Sequence, residues 1–153
     1  MADLLRHQLL DVEVDFRGFG FQELDDSAVP VRFGDGYEWG VFLNQHVRRF
    51  DLFSGGHTHT AAVTVRVWDA QPEPEKVDWD EQGEVDFETT TGDIAVWTTA
   101  VGRSNQLIRP GTPGLWRVHV GCTGRAEVEK VTRTEGVAYG VEKYMIDFWP
   151  EGS

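Results

Sequence analysis

The sequence predicts an all-β fold: a single-domain antiparallel β-sandwich over residues 1–153 with little helix. Three observations carry this. Apolar and polar residues alternate with period two, as a strand with one buried face requires. The alternating runs are short and separated by Gly- and Pro-bearing turn signals, which favours hairpins over βαβ units. The length of 153 residues corresponds to about one domain, and such a domain buries roughly 68–70% of its unfolded surface, enough for a core without disulfides. The composition, 40% hydrophobic and 26% charged, excludes a disordered chain, a collagen-like repeat and a coiled coil.

Taken in chain order, Ala2–Leu10 reads as one short helical turn. Val12, Val14 and Phe16 then alternate with Asp11, Glu13, Asp15 and Arg17, giving a strand. Weaker strand signals follow at Gly18–Leu24, Tyr37–Leu43 (after the Asp35-Gly36 turn) and Val47–Phe53. Ser54-Gly55-Gly56 marks a turn, and Val63, Val65 and Val67 form a clean strand. After the breaker Gln71-Pro72-Glu73-Pro74 come two acid-rich alternating runs, Val77–Asp80 and Glu84–Thr89. Ile94–Val101 and Gln106–Arg109 are further weak strands, and Trp116, Val118 and Val120 a strong one ending near Gly121 and Gly124. Val128–Val137 reads as a loop or a weak element, and Tyr144, Ile146 and Phe148 form the last strand. The expected core is Val14, Phe16, Val65, Val67, Trp116, Val118, Ile146 and Phe148.

Charge is the feature that bears on function. There are 26 Asp and Glu against 14 Lys and Arg, a net charge of −12. Residues 1–100 hold 20 acids and 7 bases, and the stretch Asp69–Asp93 holds ten acids with Lys76 as its one base. Nucleic acid and anionic lipid repel such a chain, so neither direct nucleic-acid binding nor membrane-surface binding is expected. The longest apolar runs are far short of the ~20 residues of a membrane span. No charged start with an apolar block follows Met1, so no secretory signal is expected. One cysteine, Cys122, suits a reducing, cytoplasmic setting.

Within the acidic stretch, Asp78 and Asp80 would line one strand face, and Glu84, Asp86 and Glu88 a neighbouring one, joined through Glu81-Gln82-Gly83. Same-face residues two apart stand about 6.6–6.8 Å from each other, close to the spacing of successive phosphates on a nucleic-acid strand. The expected use is a surface that takes the Arg and Lys of a basic partner, with Trp79 or Trp68 as apolar anchor. The simpler alternative is a solvated outer face that keeps the protein soluble and guards an edge strand.

Other constellations are weaker. His57-Thr58-His59 follows Ser54-Gly55-Gly56, and alternate residues on a strand share a face, so two imidazoles could meet a metal in a small β-fold enzyme. The glycine-histidine-x-histidine string is of the cupin kind, but the acid that pattern wants is replaced by Ala62 and Val63. A third ligand from His46, Asp51 or His119 is not dictated by spacing. No metal or other cofactor is therefore expected. Cys122 beside His119 lacks the orienting third group of a nucleophile–base pair and sits in a strand-ending turn. Exposed Trp68 or Trp149 would suit a carbohydrate-binding module, although strand-edge packing explains them as well. No Walker loop, GxSxG elbow, HExxH or paired CxxC is present, and the chain reads as non-catalytic.

The strings Gly114-Leu115-Trp116-Arg117-Val118-His119-Val120, Gly124-Arg125 and Glu142–Pro150 resemble a group of small uncharacterised all-β bacterial proteins. The layout is also similar to ComJ-like inhibitors of the bacterial DNA-entry nuclease. That resemblance implies an acidic inhibitor of a nuclease, which coincides with the role expected from charge: an immunity-type inhibitor of a basic partner such as a nuclease toxin or a nucleic-acid-binding protein. It fixes no functional residue here.

Overall fold

The computed structural model describes residues 2–25, 40–98, 102–136 and 138–152. Among these described residues ten strands and one helix follow in order: β1 (Leu4–Val14), β2 (Gly18–Glu23), β3 (Leu43–His46), β4 (Arg49–Phe53), β5 (His59–Trp68), β6 (Glu81–Thr89), β7 (Ile94–Thr98), β8 (Gly102–Ile108), β9 (Gly114–Thr123), α1 (Arg125–Glu135) and β10 (Tyr139–Pro150). They form two five-stranded sheets, one ordered β1-β5-β10-β9-β6 and the other β3-β4-β2-β7-β8. Every pairing is antiparallel except β5 with β10, which run parallel at the centre of the first sheet. The chain reaches β10 from its antiparallel neighbour β9 through α1, whereas the parallel pair β5 and β10 is joined only through the long excursion from β6 to α1.

The core lies between the sheets. On β5, buried and half-buried residues alternate without a break, so Ala61, Val63, Val65 and Val67 face inward. They meet Val12 and Val14, Val118 and Val120, and Ile146 and Phe148 from the same sheet. Aromatic edges join the two layers: Phe19 meets Tyr144 at 5.0 Å and Phe50 meets Phe87 at 5.8 Å, both T-shaped. Such pairs add about 0.5–1.5 kcal/mol beyond the area they bury.

Three local expectations are corrected. Phe16 is not core: the strand ends at Val14, and Phe16 and Arg17 are the central residues of a tight turn that leads from one sheet to the other, closed by Gly18 N–H donating to the Asp15 carbonyl. Both central residues have positive φ, 53° and 63°, as a type I′ turn demands, and Phe16 is 54% exposed. The signal was hidden because neither residue is the usual Asn or Gly. Ala2–Leu10 is not helical, because Leu4 onward pairs along β5 as an edge strand. Within Val128–Val137, residues 128–135 are helix rather than loop, while Val137 lies outside the described residues: α1 starts after Gly124, whose φ of 80° and close approach to the Val141 carbonyl require glycine, and within α1 only Val128 is fully buried. Gly124 offers no capping side chain; Asp80, from far away in the sequence, accepts the Arg125 N–H at 3.1 Å instead. The Asp35-Gly36 turn and Tyr37–Trp39 lie outside the described residues.

Candidate functional site

The outer face of the first sheet is crossed by an irregular strap, residues 69–80. Pro72 and Pro74 lack the N–H that strand pairing needs, and the chain joins the ladder only at Asp80, whose N–H donates to the Cys122 carbonyl at 2.8 Å. The expected strand at Val77–Asp80 is therefore absent, and no acidic hairpin exists; Glu81, Gln82 and Gly83 belong to β6 itself. The strap is pinned at two points. Glu75 accepts from Arg66 at 2.5 Å. The fused rings of Trp79 sit on Gly121: a Cβ there would lie 2.4–2.7 Å from three ring atoms. Gly121 thus leaves the seat that Trp79 fills, and His119 stands beside it with ring centroids 6.4 Å apart.

Under the strap, strand register lines up Arg66, Asp147, His119 and Glu84 across four strands. Asp147 accepts from Arg66 Nε at 2.7 Å and Nη2 at 3.0 Å, and from Trp68 Nε1 at 2.9 Å. Burial opposes the charge of Arg66, but the bonds to Asp147 and Glu75 outweigh it and hold its pKa above the ordinary value. The strap and this row enclose a cavity of about 360 Å³, with Trp79 and Trp149 among its walls.

The singled-out acids separate into distinct situations. Glu84, Asp86 and Glu88 do share the outer face of β6. Arg117 donates to Glu84 at 3.2 Å and to Asp86 at 2.7 Å, and Arg48 donates to Glu88 at 2.6 Å. Asp80 caps α1. Asp78, with Glu73 and Glu81, is exposed and has no cation within ion-pair distance among the described residues. Trp68, Trp79 and Trp149 offer no flat exposed platform for a sugar: Trp149 is only 5% exposed, Trp79 is seated on the sheet, and Trp68 carries the Arg66 guanidinium 5.3 Å above its ring.

His57 and His59 part company. His57 is exposed, bonded to Thr58 Oγ1 and edge-on to Phe16 at 5.2 Å. His59 is buried, with Nε2 2.7 Å from Ser54 Oγ and 3.6 Å from Glu142 Oε1. The two imidazoles do not converge, and among the described residues no three His, Cys, Asp or Glu gather as metal ligands.

No motif or spacing foretells the buried cluster that holds His59. Ser54 Oγ donates to Glu142 Oε1 at 2.6 Å, and Gly55 N–H donates to Oε2 at 2.7 Å. With its proton committed to Glu142, Ser54 Oγ accepts from His59 Nε2–H and from Gly56 N–H at 3.0 Å. The buried Nδ1 has no hydrogen-bond partner among the described residues, and burial lowers the pKa of the ring against the pull of Glu142, so the imidazole is neutral. Serine, histidine and glutamate meet here, but serine, not histidine, is the bridge, and both Ser54 and Glu142 are fully buried. That geometry ties β4, β5 and β10 together; it does not activate a nucleophile. Cys122 lies nearby with its thiol pushed up to about 12 by burial, so it stays protonated.

Fold and site together define a two-sheet β-sandwich carrying a strapped acidic face. The same fold occurs in two solved structures. One is the crystal structure of ComJ, inhibitor of the DNA degrading activity of NucA, from Bacillus subtilis, with TM-score 0.65, 14% identity, and 98% of each chain covered. The other is described as crocagin biosynthetic gene J, with TM-score 0.64, 16% identity, and 96% of this chain and 99% of that chain covered. No protein-family model and no curated protein sequence matches the chain. Among the described residues no helix is long and apolar enough to cross a membrane.

Proposed function

We propose that this chain is a non-catalytic inhibitor that binds a basic protein partner, a nuclease or nuclease-like toxin, in the cytoplasm. The observation that carries the reading is the charge of the strap side. Asp69–Asp93 holds ten acids and one base, and Glu73, Asp78 and Glu81 stand exposed there. A nuclease surface lined with Arg and Lys for phosphate meets these carboxylates in place of its substrate, and opposite potentials speed the encounter. The shared fold with ComJ, over nearly the whole of both chains, supports the inhibitor class. The revised contact set is Asp78, Glu73 and Glu81 first, with Glu84, Asp86, Glu88, Trp79 and Trp68 as the surrounding surface. Asp80 acts through the helix it caps.

The test is affinity capture from the source cell at low and high salt, followed by a DNA-cleavage assay of the captured protein with and without this chain. A basic nuclease retained more weakly at high salt, and silenced on adding the chain, is the expected result. The triple variant Glu73→Gln, Asp78→Asn, Glu81→Gln should lose most of that affinity. A control triple at Asp11, Glu13 and Asp15 should not. Capture without inhibition, or equal weakening by both triples, would overturn the reading.

A further inference from the structure

The cavity beneath the strap is larger than packing requires and chemically one-sided. Four carboxylates line it, Glu73, Glu75, Glu84 and Asp147, against the single guanidinium of Arg66. Indole rings contribute to its walls at Trp79 and Trp149. A cation over an indole face is attracted by the ring quadrupole, most strongly for Trp, and small-molecule pockets start near about 300 Å³. A void of about 360 Å³ is thus suited to one long side chain rather than to a large ligand.

The protein already demonstrates the chemistry there. Arg66 enters from the floor, is gripped by Asp147 and Glu75, and lies 5.3 Å above Trp68. With Asp147 and Glu75 held in that pair, Glu73 and Glu84 are the remaining acids. Glu84 shares Arg117 with Asp86, while Glu73 has no cation within ion-pair distance among the described residues. We propose that this cavity is a receptor for one arginine side chain presented by the partner protein, its guanidinium held by Glu73 and Glu84 and flanked by Trp79 and Trp149. The proposal rests on the inhibitor reading for its occupant, because an exposed arginine is what a phosphate-binding surface supplies.

The probe is the tripeptide acetyl-Gly-Arg-Gly-amide, titrated into isotope-labelled protein while the indole N–H resonances of Trp79 and Trp149 are followed. Both resonances should move and saturate. The citrulline tripeptide, equal in shape but uncharged, should leave them in place, and the lysine tripeptide should bind more weakly because it lacks the planar fork. The double variant Glu73→Gln, Glu84→Gln should weaken arginine binding about three- to tenfold. Its unchanged melting curve would establish that the loss is local. Unmoved indoles, equal shifts with citrulline, or undiminished affinity in the double variant would overturn the receptor. Peptide binding by a protein that inhibits no nuclease would retire the inhibitor reading and keep the cavity; inhibition that survives the double variant undiminished would do the reverse.

Discussion

Gly121→Ala is the sharpest probe of the strap. The new methyl would lie 2.4–2.7 Å from three ring carbons of Trp79, whereas carbon contacts are most favourable at about 3.5–4.0 Å. The ring must withdraw by about 1 Å or more, and because it belongs to an irregular strap, the strap yields before β9 does. The two consequences have opposite signs. Replacing a strand-interior glycine returns about 0.5–1 kcal/mol to the sheet, while the strap loses part of the ~1.5–3 kcal/mol that burying a large apolar side chain is worth. Global stability should therefore change by no more than about 1 kcal/mol, read as a urea midpoint. Local opening should rise: the Asp80 amide, bonded to the Cys122 carbonyl at 2.8 Å, should lose about tenfold in hydrogen-exchange protection, a change of about 1.4 kcal/mol. Val118 and Val120 in the same strand serve as unaffected references. Unchanged protection at Asp80 would refute the seat, and a global loss above about 3 kcal/mol would mean that the ring cannot leave and the strand is distorted instead.

Three further outcomes follow from the buried groups and the turn between β1 and β2. Glu142→Ala leaves the Ser54 hydroxyl, the Gly55 N–H and Arg125 without their fully buried carboxylate, so it should cost about 3–5 kcal/mol and lower Tm by about 6–20 °C in calorimetry. His59 has a pKa held below its ordinary 6.5 by burial, so the unfolded chain takes up its proton first. The stability it contributes is complete above pH 6.5 and falls with acidification, at up to about 1.4 kcal/mol per pH unit. His59→Gln, which keeps an N–H for Ser54, should flatten that slope in denaturant titrations, and an unaltered slope would remove His59 as its source. Phe16→Asn places a residue that tolerates left-handed backbone where φ is 53°, and should raise stability by up to about 1 kcal/mol; a loss would mean that the Phe16–His57 contact outweighs the strain.

By itself the sequence determined the class of fold and most of the core, because side-chain period two is a local property that burial cannot disguise. Val63, Val65 and Val67 alternate with polar residues in the sequence and face inward along β5, and Trp116, Val118, Ile146 and Phe148 lie in the core. The sequence also located the acid-rich stretch, since charge density needs no coordinates. Tertiary structure decided the rest, wherever a residue's role depends on a partner distant in the chain. Asp80 caps a helix that begins 45 residues later, and that helix was illegible because its cap is not adjacent. Glu84 and Asp86 turned out to flank Arg117 across the β6–β9 register. Trp79 rests on a glycine 42 positions away, so the strap replaced an expected strand. Ser54, His59 and Glu142, spread over 88 residues, meet only once β10 lies parallel to β5. No spacing rule links such groups, because burial makes a charge cluster stable only when the folded chain has already brought its hydrogen-bond partners together.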